Sequence, residues 1–254
     1  MNGCEDFKGH RIVITGAGGG VGQALSAAFA ALGGTVVACD TANVNLSGPG
    51  IGETHHFDLR DKEATREAAV AILSAGVPSV VVLNAGRTRE ETLERTTPEG
   101  IIAEMNLNFT GAALLSHALL PQMRRAAGNR AFVFVSSVNA FSHHGNPAYS
   151  AAKAAALAWM RAIAVEEGIH GIRANAVVPG SIRTGAWDHR LQTDPDLFDR
   201  VSALYPLGRI VTTTEVASAV TFLASSAASG ITGTTLNVDA GLDAGNLPFL
   251  DAIR

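Results

Sequence analysis

The stretch RIVITGAGGGVGQALSAAFAAL, residues 11–32, runs from a β-branched apolar segment through a glycine-rich turn into a segment rich in Ala and Leu. Glycines let the backbone turn sharply and approach a pyrophosphate group, which then lies at the positive end of the following helix. Five glycines in the seven residues 16–22 could also form a merely flexible loop. Their position between the first predicted strand and the first predicted helix favours a phosphate-binding loop.

The alternation of short apolar runs with helix-like segments continues along the chain. Further β-branched runs are TVVACD, SVVVLNAG, AFVFVSS, IRANAVVPG and TTLNVDAG. The segments between runs, at 21–32, 61–75, 99–126, 148–167 and 214–227, are long enough for right-handed crossovers. This pattern predicts an α/β fold, a Rossmann-type doubly wound parallel sheet flanked by helices on both faces.

The length of 254 residues predicts a single domain, residues 1–254, that both binds a dinucleotide and carries the catalytic groups. The least regular stretch is 185–209, which follows a predicted strand end and mixes aromatic, acidic and basic residues. It is either a mobile insert over a substrate site or an ordinary pair of surface helices.

Composition argues against several classes of partner. Charged residues make up 17% of the chain and the net charge is −4, with no basic tract, so we expect no nucleic-acid partner and no binding to an anionic membrane. The polar start and the lack of an apolar run of bilayer length predict a cytoplasmic protein. The two cysteines imply no disulfide framework, and the adjacent histidine pairs at 55–56 and 143–144 lack metal-ligand spacing, so we expect no metal.

Asp40 ends the second predicted strand, where a carboxylate can accept hydrogen bonds from both hydroxyls of an adenosine ribose. A 2′-phosphate at this place would meet a negative charge, and no Lys or Arg lies between Arg11 and Arg60 to pair with it. The sequence therefore favours NAD over NADP. Asp40 could otherwise be a surface acidic residue that opens a loop.

Tyr149, one of two tyrosines, stands four residues before Lys153, one of three lysines. On a helix these positions share a face, so the Lys153 ammonium can stabilise the Tyr149 phenolate. A phenol with an ordinary pKa of about 10 would then exchange protons near neutrality. The alternative is a solvated lysine beside a packed tyrosine.

Polar and small residues follow three other predicted strands: Asn84-Ala85-Gly86, Ser136-Ser137, and the run from Pro179 to Thr184. Each could be ordinary turn chemistry. In a doubly wound sheet, however, ligand-binding groups gather at the carboxyl ends of strands. We therefore expect these groups to meet Tyr149 and Lys153 at one edge.

Seven motifs occur in order: TGAGGGVG at 15–22, NAG at 84–86, NFTG at 108–111, SS at 136–137, YSAAK at 149–153, NAVVPGSIRT at 175–184, and ITG with NVDAG near the end. In these motifs the chain resembles the short-chain dehydrogenase/reductase family over nearly its whole length. The glycine spacing resembles the compact single-domain branch. NVDAG departs from the family pattern, with Ala240 where Gly is common.

The resemblance implies a catalytic set of four residues. Tyr149 would be the acid/base, and Lys153 would lower its pKa and hold the nicotinamide ribose. Ser137, the second serine of its pair, would hydrogen-bond the substrate oxygen. Asn108 would hold a water that passes protons through Lys153.

The resemblance also implies NAD as the cofactor and a set of cofactor contacts. Asp58 would contact the adenine, and Ile182 and Thr184 would bind the nicotinamide carboxamide. The predicted cofactor-binding residues are Gly16, Gly20, Val21, Gly22, Asp40, Asp58, Leu59, Asn84, Ala85, Gly86, Tyr149, Lys153, Pro179, Gly180, Ile182 and Thr184.

The predicted substrate pocket is lined by 139–144, Arg87, Thr88 and 185–209, where Trp187 and Tyr205 offer aromatic surface. Histidines and arginines in this wall favour a small polar substrate: a sugar, polyol, sugar acid or hydroxy acid. The predicted substrate contacts are Ser137, Asn139, His144, Tyr149 and Trp187.

The function expected is hydride transfer between NAD(H) and a secondary alcohol or ketone. A 3-oxoacyl ketoreductase linked to acyl carrier protein or CoA is the alternative enzyme; a non-catalytic NAD-sensing protein and a structural subunit are the alternatives outside enzymes. Family resemblance suggests a homotetramer, with small and apolar residues at 106–120 and 148–165 facing a partner. The apolar tail 246–254 is a further candidate interface.

Overall fold

The computed structural model describes residues 6–87, 92–185 and 192–253, and its centre is a parallel sheet of seven strands in the order β3-β2-β1-β4-β5-β6-β9. A separate parallel pair joins β7 to β8. The strands are β1 (Arg11–Thr15), β2 (Thr35–Asp40), β3 (Ile51–His56), β4 (Val80–Leu83), β5 (Arg130–Val135), β6 (Ile172–Pro179), β7 (Ile182–Arg183), β8 (Val211–Thr212) and β9 (Thr235–Val238).

Helices connect the strands as crossovers. They are α1 (Gly20–Ala31), α2 (Lys62–Ala75), α3 (Pro98–Met105), α4 (Gly111–Met123), α5 (Pro147–Glu166), α6 (Leu197–Ser202), α7 (Thr213–Ala224) and α8 (Leu247–Ile253). No helix within the described ranges combines the length and the apolar composition needed to cross a membrane.

Successive strand residues point to opposite faces of the sheet, and each face has its own apolar core. On one face Val13 and Phe132 pack with residues of α2, α4 and α5. On the other face Ile14 and Val133 pack with residues of α1 and α7. Strands such as VVVL are buried on both sides, as parallel strands covered by helices must be. The predicted doubly wound fold is confirmed.

The strand β3, IGETHH, was not predicted. It is an edge strand that pairs only with β2 in the described part of the chain, and its residues alternate between half-buried and exposed positions. Its polar composition contains no apolar run that would predict a strand. Its place in the sheet therefore depends on pairing with β2 and not on its own sequence pattern.

The predicted helical segment 99–126 is divided into α3 and α4 by one wide turn, a π-helix over Asn106–Thr110. Thr97 caps the start of α3 by accepting a hydrogen bond from the Gly100 N–H. In the wide turn the Gly111 N–H donates to the Asn106 carbonyl, five residues back. This turn carries Asn108 on the side of α5.

The described part of the 185–209 stretch contains α6 and a turn around Tyr205. Tyr205 is buried and its hydroxyl accepts a hydrogen bond from the Ser181 N–H at 2.8 Å. The prediction that Tyr205 offers aromatic surface to the pocket is wrong, because its ring supports the backbone that follows β6. Trp187 and Thr88 lie outside the described residues, and closure of the insert stays a prediction.

Phe249, Leu250 and Ile253 on α8 are exposed, so the tail presents apolar side chains at the surface. An interface made by this tail remains a prediction.

Ala240 has a left-handed backbone with φ of 50°, a conformation that favours glycine. We expect Ala240→Gly to raise the free energy of unfolding by up to about 1 kcal/mol, because it removes the clash of Cβ with the backbone. Urea unfolding measures this. Ala227→Gly, in an ordinary turn on the surface, should lower stability slightly. A lower unfolding midpoint for Ala240→Gly would contradict the expectation.

Candidate active site

The end of β1 is joined to the end of β4 by a cluster of hydrogen bonds. The Thr15 Oγ1 accepts from the N–H groups of Asn84 and Ala85, each at 3.0 Å. The Asn84 Nδ2 donates to the carbonyls of Thr15 at 2.9 Å and Gly16 at 3.1 Å. The cluster fixes where the glycine turn leaves the sheet.

At two positions of the glycine turn, a side chain would collide with backbone atoms. Gly16 has φ of 65°, and a Cβ built on it would lie 2.8 Å from the Ala85 Cα. A Cβ on Gly22 would lie 2.1 Å from the Gly16 carbonyl oxygen. Helix α1 then begins at Gly20. The residue at its N-cap position is Gly19, which has no side chain to accept hydrogen bonds from the first N–H groups of the helix. The turn therefore presents bare backbone and a helix N-terminus, which fits a dinucleotide pyrophosphate.

Asp40 lies at the carboxyl end of β2 and faces the glycine turn. Its Oδ2 accepts from the Gly18 N–H at 3.0 Å and its Oδ1 from the Thr41 N–H at 2.8 Å. The Thr41 hydroxyl also donates to Oδ1 in a long hydrogen bond of 3.5 Å, and Oδ2 keeps a further lone pair. Asp40 is thus held in place, and its carboxylate can still accept a hydrogen bond from a ribose hydroxyl.

Arg60, where the cation-free segment ends, brings a cation to the same edge. Its guanidinium donates to the Asp58 carboxylate, with Nη2 to Oδ2 at 2.6 Å. This hydrogen bond, together with the charge of Arg87, holds the pKa of Asp58 below its usual value. Both arginines line the cavity described next, but the Arg60 guanidinium is already engaged by Asp58.

One cavity of about 1080 Å³ extends from the glycine turn to α5. All of the predicted cofactor-binding residues line it, from Gly16 and Asp40 at one end to Tyr149, Lys153, Ile182 and Thr184 at the other. The chemistry of this wall, with bare backbone at the turn and a carboxylate beside it, fits a nicotinamide dinucleotide.

Tyr149 and Lys153 lie on one face of α5 at the far end of the cavity. The Lys153 Nζ is 5.6 Å from the centre of the Tyr149 ring and donates to the Val135 carbonyl at 2.9 Å. The Ser136 hydroxyl donates to the Lys153 carbonyl at 3.3 Å. Both serines line the cavity, but the Ser136 hydroxyl is used in joining β5 to α5, whereas the Ser137 side chain makes a hydrogen bond with Tyr149.

The environment of Tyr149 raises the pKa of its hydroxyl to about 12, because loss of hydration disfavours the phenolate. A hydrogen bond from Ser137 acts in the opposite direction, and the Glu104 charge adds to the increase. Burial is the largest influence on this pKa, and the Lys153 ammonium donates to the Val135 carbonyl; a lowering of the Tyr149 pKa by Lys153 stays a prediction.

Lys153 is only 4% exposed, and burial lowers the pKa of its ammonium to about 8. The negative charge of Glu104 opposes this change by favouring the ammonium. Lys153 is thus poised between charged and neutral forms close to physiological pH.

Asn108, in the wide turn, is buried beside Lys153. Its Nδ2 donates to the Arg87 carbonyl at 3.1 Å and to the Glu104 Oε2 at 2.7 Å. Its Oδ1 is buried and has no hydrogen-bond partner among the described residues. A Cβ built on Gly86 would lie 2.7 Å from this Oδ1 and 3.1 Å from the Lys153 Nζ, so both atoms face the same small space.

The sequence analysis missed Glu104, a buried carboxylate at this centre. Its position four residues before Asn108, directly after the apolar residues Ile101, Ile102 and Ala103, was the available signal.

The predicted substrate residues do not all meet. Ser137 and Tyr149 line the cavity. Asn139 lies behind Ser137, whose Oγ is 3.3 Å from the Asn139 Oδ1, while the Asn139 Nδ2 donates to the Gly145 carbonyl at 2.9 Å. His144 is exposed and outside the cavity wall. Among the residues that the structure describes, no cluster of three or more His, Cys, Asp or Glu side chains is arranged to hold a metal ion.

A family model described as enoyl-(acyl carrier protein) reductase matches residues 16–243. A crystal structure of a short-chain dehydrogenase/reductase family oxidoreductase from Burkholderia thailandensis superposes with a TM-score of 0.89 at 37% identity, over 96% of each chain. This chain belongs to the short-chain dehydrogenase/reductase family. It is an oxidoreductase that acts on CH–OH groups.

Curated members of the family match along almost the whole chain. An uncharacterised oxidoreductase, C922.06, from Schizosaccharomyces pombe is 37% identical, covering 94% of this chain and 93% of its own. An acetoacetyl-CoA reductase from Shinella zoogloeoides is 33% identical over 90% of this chain and 96% of its own. An L-fucose dehydrogenase from Oryctolagus cuniculus is 34% identical over 95% of this chain and 88% of its own.

Cofactor use among the solved relatives includes NADPH. An NADPH-bound short-chain oxidoreductase from Pseudomonas aeruginosa PAO1, with an atypical catalytic centre, superposes with a TM-score of 0.85 at 28% identity, covering 95% of this chain and 99% of its own. Membership of the family therefore establishes a nicotinamide cofactor and leaves the choice between NAD and NADP to the residues of this chain.

In this dehydrogenase/reductase we expect Gly22→Ala to abolish cofactor binding, because the added Cβ would overlap the Gly16 carbonyl and move the turn. The variant should also lose about 1–3 kcal/mol of unfolding free energy through overpacking. Calorimetric titration with NAD⁺ and urea unfolding measure the two effects.

Gly230→Ala is the matched control for this prediction, since a Cβ there meets nothing within 4 Å. It should bind cofactor like the wild type. Wild-type affinity in Gly22→Ala would show that the turn does not cradle the cofactor.

Proposed function

We propose that this enzyme transfers a hydride between NAD(H) and a secondary alcohol or ketone of a small polar substrate. The observation that carries the proposal is the position of Ser137, Tyr149 and Lys153 at one end of the cavity whose other end is the glycine turn and Asp40. Acid–base groups and a dinucleotide cradle then share one space.

The residues at the cofactor end have separate tasks. The glycine turn and the start of α1 hold the pyrophosphate, and Asp40 accepts the ribose hydroxyls. Lys153 holds the ribose next to the nicotinamide. When bound, the nicotinamide supplies hydride transfer, and its positive charge in the oxidised form favours the phenolate of Tyr149.

The proton chemistry belongs to Tyr149. In alcohol oxidation its phenolate takes the hydroxyl proton while the hydride leaves the same carbon; in reduction the phenol returns that proton to the carbonyl oxygen. Ser137 donates to the same substrate oxygen, so two donors face the atom on which charge develops. Asn108 holds a water that exchanges protons with bulk solvent through Lys153.

Preference for NAD over NADP rests on Asp40. A 2′-phosphate at the ribose would stand beside this carboxylate, and like charges so close cost several kcal/mol. The Arg60 guanidinium, the cation nearest in sequence, is held by Asp58. These contacts support NAD as the cofactor of this chain.

A sugar, polyol, sugar acid or hydroxy acid suits the polar groups around the reacting centre. Asn139 stands directly behind Ser137, and Arg87 lines the cavity. The L-fucose dehydrogenase among its relatives acts on a sugar, which supports this substrate class. The contacts of His144 and Trp187 with substrate remain part of the proposal.

A 3-oxoacyl thioester is the second candidate substrate, because an acetoacetyl-CoA reductase is 33% identical and the matching family model is described by an acyl-carrier substrate. Initial rates with NAD⁺ over a panel of sugars, polyols, hydroxy acids and 3-hydroxybutyryl-CoA separate the two. Turnover of the thioester alone would exclude the polar-substrate proposal.

Assembly as a homotetramer in the cytoplasm is part of the same proposal. Ile101, Ile102 and Val165 are apolar and exposed on α3 and α5, where packing against a second copy would cover them.

Tyr149→Phe should lower kcat by at least about 10²-fold with any substrate found, since the variant keeps the ring and loses the proton-carrying hydroxyl. NADH binding, followed by fluorescence, should stay within about threefold of wild type because the ring still borders the cavity. Full activity in this variant would remove Tyr149 from the proposed mechanism.

Asp40→Ala should raise the ratio of kcat/KM for NADP⁺ to that for NAD⁺ at least about 10-fold, because it removes both the repulsion of the 2′-phosphate and the ribose hydrogen bonds. Steady-state kinetics with both cofactors give the ratio. Asp6→Ala, an exposed acidic residue near the N-terminus, is the control and should leave the ratio unchanged. An unchanged ratio in Asp40→Ala would show that this carboxylate does not select the cofactor.

A further inference from the structure

Glu104 is a buried carboxylate placed directly against a residue of the reacting centre. It is 6% exposed, and Asn108 is 3% exposed. The Glu104 Oε2 accepts a hydrogen bond from the Asn108 Nδ2 at 2.7 Å, and the Glu104 backbone carbonyl accepts from the same nitrogen at 3.1 Å. The wide turn that follows α3 brings the two side chains together on the side of α5.

These contacts decide which way the Asn108 amide points. A carboxylate can only accept hydrogen bonds, and the Arg87 carbonyl, the third acceptor, has the same restriction. All three therefore select the nitrogen of the amide and leave its oxygen on the opposite side. That oxygen faces Gly86 together with the Lys153 Nζ.

The charge of Glu104 also reaches the catalytic groups of α5. It favours the ammonium form of Lys153 and disfavours the phenolate form of Tyr149. Among the described residues, Glu104 is the one charged group that shifts the pKa of Lys153, whose ammonium otherwise contacts the Val135 carbonyl. Tyr149, on the same helix, is the other titratable group close to that ammonium.

We propose that Glu104 is a positioning residue of this enzyme: it orients the Asn108 amide with its oxygen toward Lys153 and places a buried negative charge near the Lys153 ammonium. The role in turnover rests on the proposed function. The effect on Lys153 does not, because it can be measured without substrate or cofactor.

The test follows the lysine side chains directly. The chain contains three lysines, Lys8, Lys62 and Lys153, and the first two are exposed. Protein labelled with ¹³C at the lysine ε carbon therefore gives three NMR signals, and Lys62→Arg assists their assignment. In the wild type, Lys153 should titrate near pH 8, below the ordinary range of a lysine.

In Glu104→Gln the Lys153 titration should move to lower pH by about one unit, since a neighbouring opposite charge is lost. The value of kcat should fall about 10- to 100-fold with a smaller change in KM, because Gln can donate as well as accept, which leaves only the Arg87 carbonyl and the backbone carbonyl of residue 104 to select the amide orientation. Glu104→Asp keeps the charge and shortens the reach. Its Lys153 should titrate as in the wild type while kcat still falls.

Glu63→Gln, an exposed glutamate on α2, is the matched control and should change neither the titration nor kcat. Circular dichroism establishes that each variant is folded. If Glu104→Gln does not fold, the comparison of kcat is made with Glu104→Asp. The proposal is overturned if Lys153 titrates identically in folded Glu104→Gln and wild type, or if either Glu104 variant keeps wild-type kcat at every pH. If the wild type oxidises no alcohol in the panel, the proposed function fails, and the lysine titration still decides the role of Glu104.

Discussion

The close approach of bare backbone at Gly16, Gly22 and Ala85 is the constraint on which the rest of the site depends. No side chain fits between these segments, and the hydrogen bonds of Thr15 and Asn84 hold them together. Because β1 and β4 are neighbours at the centre of the sheet, this contact sets the position of α1 relative to every strand end that borders the cavity. A dinucleotide cradle follows from this geometry.

The reacting centre is governed by burial and by a small number of charges. Burial disfavours both the phenolate of Tyr149 and the ammonium of Lys153, and Glu104 favours the ammonium while further disfavouring the phenolate. The protein therefore holds a protonated Tyr149 beside Lys153, whose pKa is about 8. In the mechanism that we propose, the positive charge of an oxidised nicotinamide would favour the phenolate of Tyr149 and so lower its pKa.

Most of the fold follows from the order of apolar runs and helical segments, since strands buried on both faces need continuous β-branched runs and give a strong signal. β3 gave no such signal because an edge strand is stabilised by its neighbour. The wide turn at Asn106–Thr110 also escaped prediction: one extra residue in a helical turn changes no composition, yet it decides where Asn108 points.

The sequence by itself determined the family, the sheet, the glycine turn and the Tyr149–Lys153 pair, because these depend on residue types at short, fixed spacings. Only the tertiary structure decided that Tyr205 supports the backbone after β6, that Arg60 is engaged by Asp58, and that Glu104 joins the centre. These outcomes depend on how deeply a side chain is buried and on which hydrogen-bond acceptor it reaches in three dimensions. The spacing of residues along the chain predicts neither the burial nor the hydrogen-bond partner.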